Sequence, residues 1–167
     1  MNTYIKFAKV RPSAKIPTKR REDAGYDLWP CFEDDWIEIK PFESRLIPTG
    51  IASAIDNDYA FIFRERGSTG VRNIKVNAGV IDSGFNGEWF VSIYNANNVS
   101  LFISKFGETG EQSPLTEHPN AILYPYDKAI AQAILINVPS ADVEEVDYSE
   151  ITSRNTERGT NQLGSTN

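Results

Sequence analysis

Four short runs gather charge and glycine where strands and turns alone would not require them. In DAGYDL, residues 23–28, the carboxylates Asp23 and Asp27 flank a glycine turn. In RERGSTG, residues 64–70, Arg64 and Arg66 precede a Gly-Ser-Thr-Gly run. A backbone that turns through such small residues can aim successive N–H groups at one anion, with arginine forks and hydroxyls adding donors. NAGVIDSGFNGE, residues 77–88, carries Asp82 from an apolar strand end into a glycine-bounded hairpin. The tail ERGTNQLGSTN places Arg158 in a further Gly-, Ser- and Thr-rich run. Read singly, each is compatible with an ordinary hairpin and solvated charge. Together, two such runs with arginines point to a phosphate ligand, and the isolated Asp27 and Asp82 point to a hard cation or a general base.

The elements that must position these residues are short. The chain has 167 residues, 40% of them hydrophobic, the size of one domain able to bury a core without covalent staples. Tyr59, Phe61 and Phe63 alternate in YAFIF, and Trp89, Val91 and Ile93 in WFVSI, which predicts half-buried strands. YIKFAKV near the start, WIEI at 36–39, VSLFI at 99–103 and AIAQAILINV at 129–138 read the same way, separated by turn clusters. No window sustains a helical apolar stripe, so the expected architecture is all-β, a sandwich or a barrel, with little helix. Residues 104–120 are polar and long for a loop, and 154–167 read as a flexible tail.

Composition excludes several functions. One cysteine, Cys31, and one histidine, His118, cannot form an intramolecular disulfide or a conventional Cys/His zinc site, so a bound metal would be a hard ion on oxygen ligands. Seventeen Lys plus Arg against 23 Asp plus Glu leave a net charge of −6, which argues against unspecific binding to nucleic acid or acidic membranes. No basic-then-apolar leader and no run of 18 apolar residues occurs, so a cytoplasmic protein is expected, in the host cytoplasm if phage-encoded. Cys31 reads as apolar packing and His118 as solvated. Lys15, Lys19, Arg20 and Arg21 read as a solvated basic face just before the first run, with a minor role in attracting a polyphosphate as the alternative.

The runs resemble, in order, the motifs of the trimeric dUTPase family, which splits dUTP into dUMP and pyrophosphate. DAGYDL is similar to the first motif, RERGSTG to the second, AGVIDSGFNGE to the third, AIAQAILI to the fourth and ERGTNQLGSTN to the fifth. The resemblance implies a jelly-roll-like β-barrel over residues 1–153, with an insert at about 104–120 and a mobile arm, 154–167, carrying the fifth motif. It also implies a homotrimer with shared active sites and Mg2+ as cofactor. Asp82 would be the general base for a water attacking the α-phosphorus, and Asp27 would hold magnesium through water. Phosphate contacts would fall to Arg66, Gly67, Ser68 and Gln132, joined by Arg158, Gly164 and Ser165 of the arm. The uracil and deoxyribose would be enclosed by Asn77, Gly79, Val80, Ile81, Phe85 and Phe90. Backbone groups of the hairpin would pair with uracil, and Phe85 would leave no room for a 2′-hydroxyl.

Departures from the family are specific. Phe85 stands where tyrosine is usual, and Arg66-Gly67-Ser68 replaces the common Arg-Ser-Gly. Asp127-Lys128-Ala129 precedes Ile130-Ala131-Gln132 where Gly-Asp-Arg is usual. Leu163 stands where the fifth motif carries an aromatic, so Phe90 is the expected replacement lid over the base. The rival readings are a dCTP deaminase of the same fold and a dUTPase that also binds a regulatory protein partner through the 104–120 insert. Against the first, Ser92 occupies the position where a deaminase resembling this chain would carry glutamate.

Overall fold

Alternation of inward apolar and outward polar residues draws the chain into strands, because a strand lying on a core points every second side chain inward. A computed structural model describes residues 4–157, 159 and 160. Its strands are β1 (Ile5–Lys9), β2 (Tyr26–Leu28), β3 (Trp36–Ile39), β4 (Ser44–Pro48), β5 (Ile51–Ile55), β6 (Tyr59–Arg64), β7 (Ile74–Asn77), β8 (Val80–Asp82), β9 (Phe90–Asn95), β10 (Leu101–Ser104), β11 (Ile122–Pro125) and β12 (Ala131–Asn137). Among the described residues, helix is confined to α1 (Gly67–Gly70), a 3₁₀ turn at Pro114–Thr116 and α2 (Tyr148–Thr152). None is long and apolar enough to cross a membrane.

Hydrogen bonding divides the strands into four sheets, ordered β1-β5, β11-β10-β3, β2-β12-β6-β8 and β4-β9-β7. The expected all-β, jelly-roll-like architecture is present, with the strands shared among these sheets and no single closed ladder. Trp89, Val91 and Ile93 are each 0% exposed, as their alternation predicts. The Trp89 ring is the hub of the core, with ring centroids of Phe7, Phe61 and Phe63 at 5.6, 5.0 and 5.3 Å. The buried Asn95 donates from Nδ2 to the carbonyls of Ile39 (3.0 Å) and Val99 (2.8 Å), tying the end of β9 to the β3–β10 pair. Cys31 is buried against this core.

The polar stretch 104–120 has a topological reason for its length. β10 and β11 pair in parallel, Leu101 opposite Ile122, and a parallel pair needs a crossover of about a dozen residues or more. The crossover is ordered by the buried Ser113 and Pro114, and Ser113 Oγ accepts the Leu115 N–H at 3.2 Å.

Candidate active site

The sheet β2-β12-β6-β8 assembles the first, second and fourth sequence runs. Gln132 of β12 lies opposite Asp27 of β2 on one side and Arg64 of β6 on the other. Directly opposed residues of antiparallel strands share a face, so Asp27 and Gln132 project together. β6 ends at Arg64, and the chain turns into α1. Thr69 closes that turn: its buried hydroxyl accepts the Arg66 N–H at 3.0 Å and donates to the Arg66 carbonyl at 3.0 Å.

The turn swings Arg66 back over β2. Arg66 Nε meets Asp27 Oδ1 at 2.8 Å and Nη2 meets Oδ2 at 3.3 Å, a two-toothed pairing, while Nη1 donates to the Ala129 carbonyl at 3.4 Å. Gln132 Nε2 donates to the Glu65 carbonyl at 2.8 Å, which fixes the carboxamide. Gly25 is glycine because of that fixed group: a Cβ there would lie 2.6 Å from Gln132 Oε1 and 2.9 Å from its Cβ. At Gly67 a Cβ would meet nothing within 4 Å. The result is an open cavity of about 680 Å³ that includes Asp27, Arg66, Gly67, Ser68 and Gln132 in its lining.

One limb of this cavity comes from the basic run that precedes the first motif. Lys19 and Arg20 are exposed, as expected, yet they line the cavity beside Thr18 and Asp23. An isolated bridge between Thr18 and Asp27 folds the 18–23 segment against β2 and brings them there. Arg20 forks onto Asp23, with Nε–Oδ2 and Nη2–Oδ1 both 3.0 Å, and the Arg20 amide N–H also donates to Asp23. These side-chain and backbone bonds hold the Asp23 carboxyl below the usual carboxylate range and raise the Arg20 guanidinium. The only sequence signal for this limb was its adjacency to DAGYDL.

The third run forms a separate surface. Ala78 and Gly79, between β7 and β8, both have positive φ, 58° and 109°. At Gly79 a Cβ would fall 2.6 Å from the Cβ of Phe63, so the turn admits only glycine without a backbone shift. Asn77 Nδ2 donates to Ser44 Oγ at 3.1 Å, and Val80 is exposed while Ile81 is buried in the core. The Phe85 ring is exposed and lies over Gly87, and Asp82 sits exposed at the end of β8. Phe90 is 42% exposed next to the fully buried Trp89, so of the two aromatics only Phe90 faces outward. Arg158, Leu163, Gly164 and Ser165 lie outside the described residues.

Register measures the gap between the two surfaces. Asp82 lies opposite Ala60 and Gln132 opposite Arg64, both across β6. Four residues along a strand and two strand spacings put their Cα atoms about 16 Å apart. One chain therefore does not bring Asp82 onto a phosphorus atom held by its own Gln132.

Among the described residues no cluster of three or more His, Cys, Asp or Glu could cage a metal. Magnesium suits a different arrangement, keeping several waters and binding one or two carboxylates plus substrate phosphates. Asp27 fits that part: it lines the open cavity, and its two oxygens face Arg66, leaving their remaining lone pairs for a metal-bound water.

Comparison with known proteins is consistent along the chain. The family model described as dUTPase matches residues 11–107, more than half of the chain. The deoxyuridine 5'-triphosphate nucleotidohydrolase of Leptospira interrogans is 32% identical over 162 residues, covering 95% of this chain and 94% of that protein. Among solved structures, the dUTPase of Staphylococcus bacteriophage 80alpha with dUpNHpp superposes with a TM-score of 0.74 at 18% identity, covering 98% of each chain. A dUTPase from phage phi11 of S. aureus, described with a structural Mg(II) ion, gives a TM-score of 0.66 at 18% identity, covering 88% of this chain and 99% of that one.

Proposed function

The chain belongs to the dUTPase family and hydrolyses dUTP to dUMP and pyrophosphate, and we propose that it does so at sites shared between copies. The observation that carries this reading is the convergence of Asp27, Arg66, Ser68 and Gln132 on one cavity from three separate stretches of chain. The cavity holds the triphosphate. Arg66 and the Ser68 hydroxyl donate to phosphate oxygens, and Gln132, clamped by the Glu65 carbonyl, sets the position of its carboxamide against them. Asp27 would hold magnesium through water, and the ion would supply neutralisation of phosphate charge.

Asp82 of a neighbouring copy acts as the general base. It takes a proton from the water that attacks the α-phosphorus; the new P–O bond forms as the bond to the bridging oxygen breaks and pyrophosphate leaves. Phosphoryl chemistry of this kind depends chiefly on positioning and charge neutralisation, which a pocket of fixed donors supplies. The uracil edge pairs with the backbone of the same neighbour's hairpin. The φ-positive turn at Ala78 and Gly79 fixes those amides, Phe85 walls off the 2′ side of the sugar, and Phe90 closes over the base. A homotrimer meets this requirement for a second copy, with Arg158 of the arm as the contact to the terminal phosphate and Gly164 and Ser165 as further phosphate contacts.

Pyrophosphate release across dUTP, dTTP, dCTP and UTP, with and without magnesium, tests the reading. Turnover of dUTP alone, lost on chelation, is expected. Uracil nucleotides appearing from dCTP would instead indicate a deaminase. Ser92, paired with Leu46 and Asn77 on β9, offers only a hydroxyl where that chemistry needs a carboxylate.

A further inference from the structure

The exit of the hairpin carries a carboxylate that the proposed reaction does not use. Glu88 stands between the Phe85–Gly87 tip and the Trp89–Phe90 pair, and its side chain is only 15% exposed. Its Oε1 accepts the Arg11 Nε–H and the Gly50 amide N–H, both at 3.0 Å, and its Oε2 accepts from Arg11 Nη2 at 3.3 Å. Gly50 closes the ring of bonds, because its carbonyl accepts the amide N–H groups of Val10 at 2.7 Å and of Arg11 at 3.2 Å. This node is seated on the core: Gly50 has φ of 69°, and a Cβ there would fall 2.8 Å from both Ala14 Cβ and Cys31 Sγ. The next residue is held to the same turn. The Trp89 N–H donates to the Ile51 carbonyl at 2.8 Å, and the Trp89 carbonyl accepts the Thr49 N–H at 3.1 Å and the Thr49 hydroxyl at 2.7 Å. Three stretches distant in sequence are thus locked around one carboxylate.

What the node holds still is the backbone under Phe85. Gly87 adjoins Glu88 in the chain, and a Cβ on Gly87 would lie 2.7 Å from Phe85 Cζ, so the ring rests directly on that glycine. With the ring 44% exposed, its position follows the backbone beneath it. We propose that Glu88 is a positioning residue for sugar selection: pinned by Arg11 and Gly50, it fixes the Gly87 backbone and thereby sets the Phe85 ring against the 2′ carbon of a bound deoxyribose, without touching the substrate itself. Rejecting a ribonucleotide depends on a clash with one added oxygen, and a wall free to retreat by about 1 Å would lose it. A little-exposed carboxylate tied by three hydrogen bonds, two of them to a guanidinium, supplies the stiffness. Arg11, Gly50 and Glu88 are all absent from the lining of the phosphate cavity, so the effect is confined to the nucleoside half. The proposal rests on the reading of Phe85 as the wall beside the sugar.

The test measures kcat/KM for dUTP and for UTP, with inhibition by inorganic pyrophosphate, in the parent, Glu88→Ala, Glu88→Gln, Phe85→Ala and the double variant Phe85→Ala/Glu88→Gln. Glu88→Ala should lower the preference for dUTP over UTP about tenfold, and Glu88→Gln about threefold. The glutamine keeps an oxygen for the Gly50 N–H but turns an amide N–H toward Arg11, which is why its loss is smaller. Pyrophosphate inhibition should stay within about twofold of the parent throughout. In the Phe85→Ala background Glu88→Gln should change the preference no further, because the wall it positions is gone. An unchanged preference in Glu88→Gln would overturn the proposal, and this isosteric variant decides the matter if Glu88→Ala does not fold. So would an equal loss of kcat/KM for both nucleotides, the mark of a residue that only stabilises the fold, or effects of Phe85→Ala and Glu88→Gln that simply add. A parent that turns over UTP as readily as dUTP would sink the sugar-wall reading before any variant is made, whereas a selective parent with equally selective Glu88 variants would overturn the Glu88 assignment alone.

Discussion

In the cavity between β2, β12 and α1 the central side chains are clamped by other groups: Arg66 by Asp27 and the Ala129 carbonyl, Gln132 by the Glu65 carbonyl. In the hairpin from Asn77 to Gly87 the exposed Val80 and Phe85 are held by little besides their own turn, and what is fixed there is backbone. The contrast follows from what each part of a nucleotide demands. Phosphate is met by charge, and charged side chains must be locked by ion pairs to present a defined geometry. A base edge is met by amides and carbonyls, which a turn locks without help from side chains. On the proposed reading the cavity is nearly finished within one chain, whereas the hairpin serves a site completed by a second copy.

The largest test of this contrast is a mixing experiment. Asp82→Asn should lower turnover by about 10³-fold, the scale of a lost general base, while binding of a non-hydrolysable dUTP analogue stays within a few-fold. Arg66→Ala should be similarly inactive through loss of phosphate binding. When the two inactive proteins are dissociated and reassembled together, activity should return, because some sites then combine an intact cavity with an intact Asp82. Mixtures as dead as their parents would mean that both residues serve a single chain's site.

Next in size is a glycine pair. Gly79→Ala places a Cβ against Phe63 at positive φ and should cost about 2 kcal/mol or more, a fall of several degrees in Tm, with weaker dUTP binding. Gly67→Ala, which meets no neighbour, should leave Tm nearly unchanged. Phe90→Ala should weaken dUTP binding about tenfold, the value of one ring stacked on a base, without affecting pyrophosphate inhibition at the other surface. Unaltered dUTP kinetics would remove Phe90 from the hairpin half of the site.

The smallest effect is in the strap joining the two regions. Glu65 Oε1 accepts the Val76 N–H at 3.2 Å, linking the end of β6 to β7. Burial alone would raise its carboxyl pKa, but the backbone N–H groups of Glu65 and Val76 outweigh it and hold the pKa below the ordinary value. A lowered folded-state pKa contributes stability above the ordinary carboxylate range, and that contribution disappears as pH falls through the depressed value. Thermal melts from about pH 6 down to about pH 3 should therefore fall less steeply for Glu65→Gln than for the parent. Parallel slopes would show that the strap carries no charge-dependent stability.

Legibility in the sequence followed element length and locality. Trp36–Ile39 and the alternating interiors of β6, β9 and β12 were readable because period-two patterns over four to seven residues are local signals. β2 and β8, three residues each, are too short to show a period, and they exist because β12 and β6 offer them partners. That residues 105–121 connect two parallel strands was not legible, because the pairing of β10 with β11 leaves no trace in either strand's pattern. Lys19 and Arg20 read as surface charge because nothing near them in sequence reveals the Thr18–Asp27 bridge.

Residue types and their order thus pointed toward a chemistry: arginines, hydroxyls and glycines toward phosphate, two isolated aspartates toward a hard cation or a general base, and β-rich segments to carry them. Only the tertiary structure decided which of these meet. The register of β12 between β2 and β6 puts Gln132 beside Asp27 and about 16 Å from Asp82. Strand pairing is set by contacts distant in sequence, so the partition of one motif set into a clamped cavity and an open hairpin is a property of the fold.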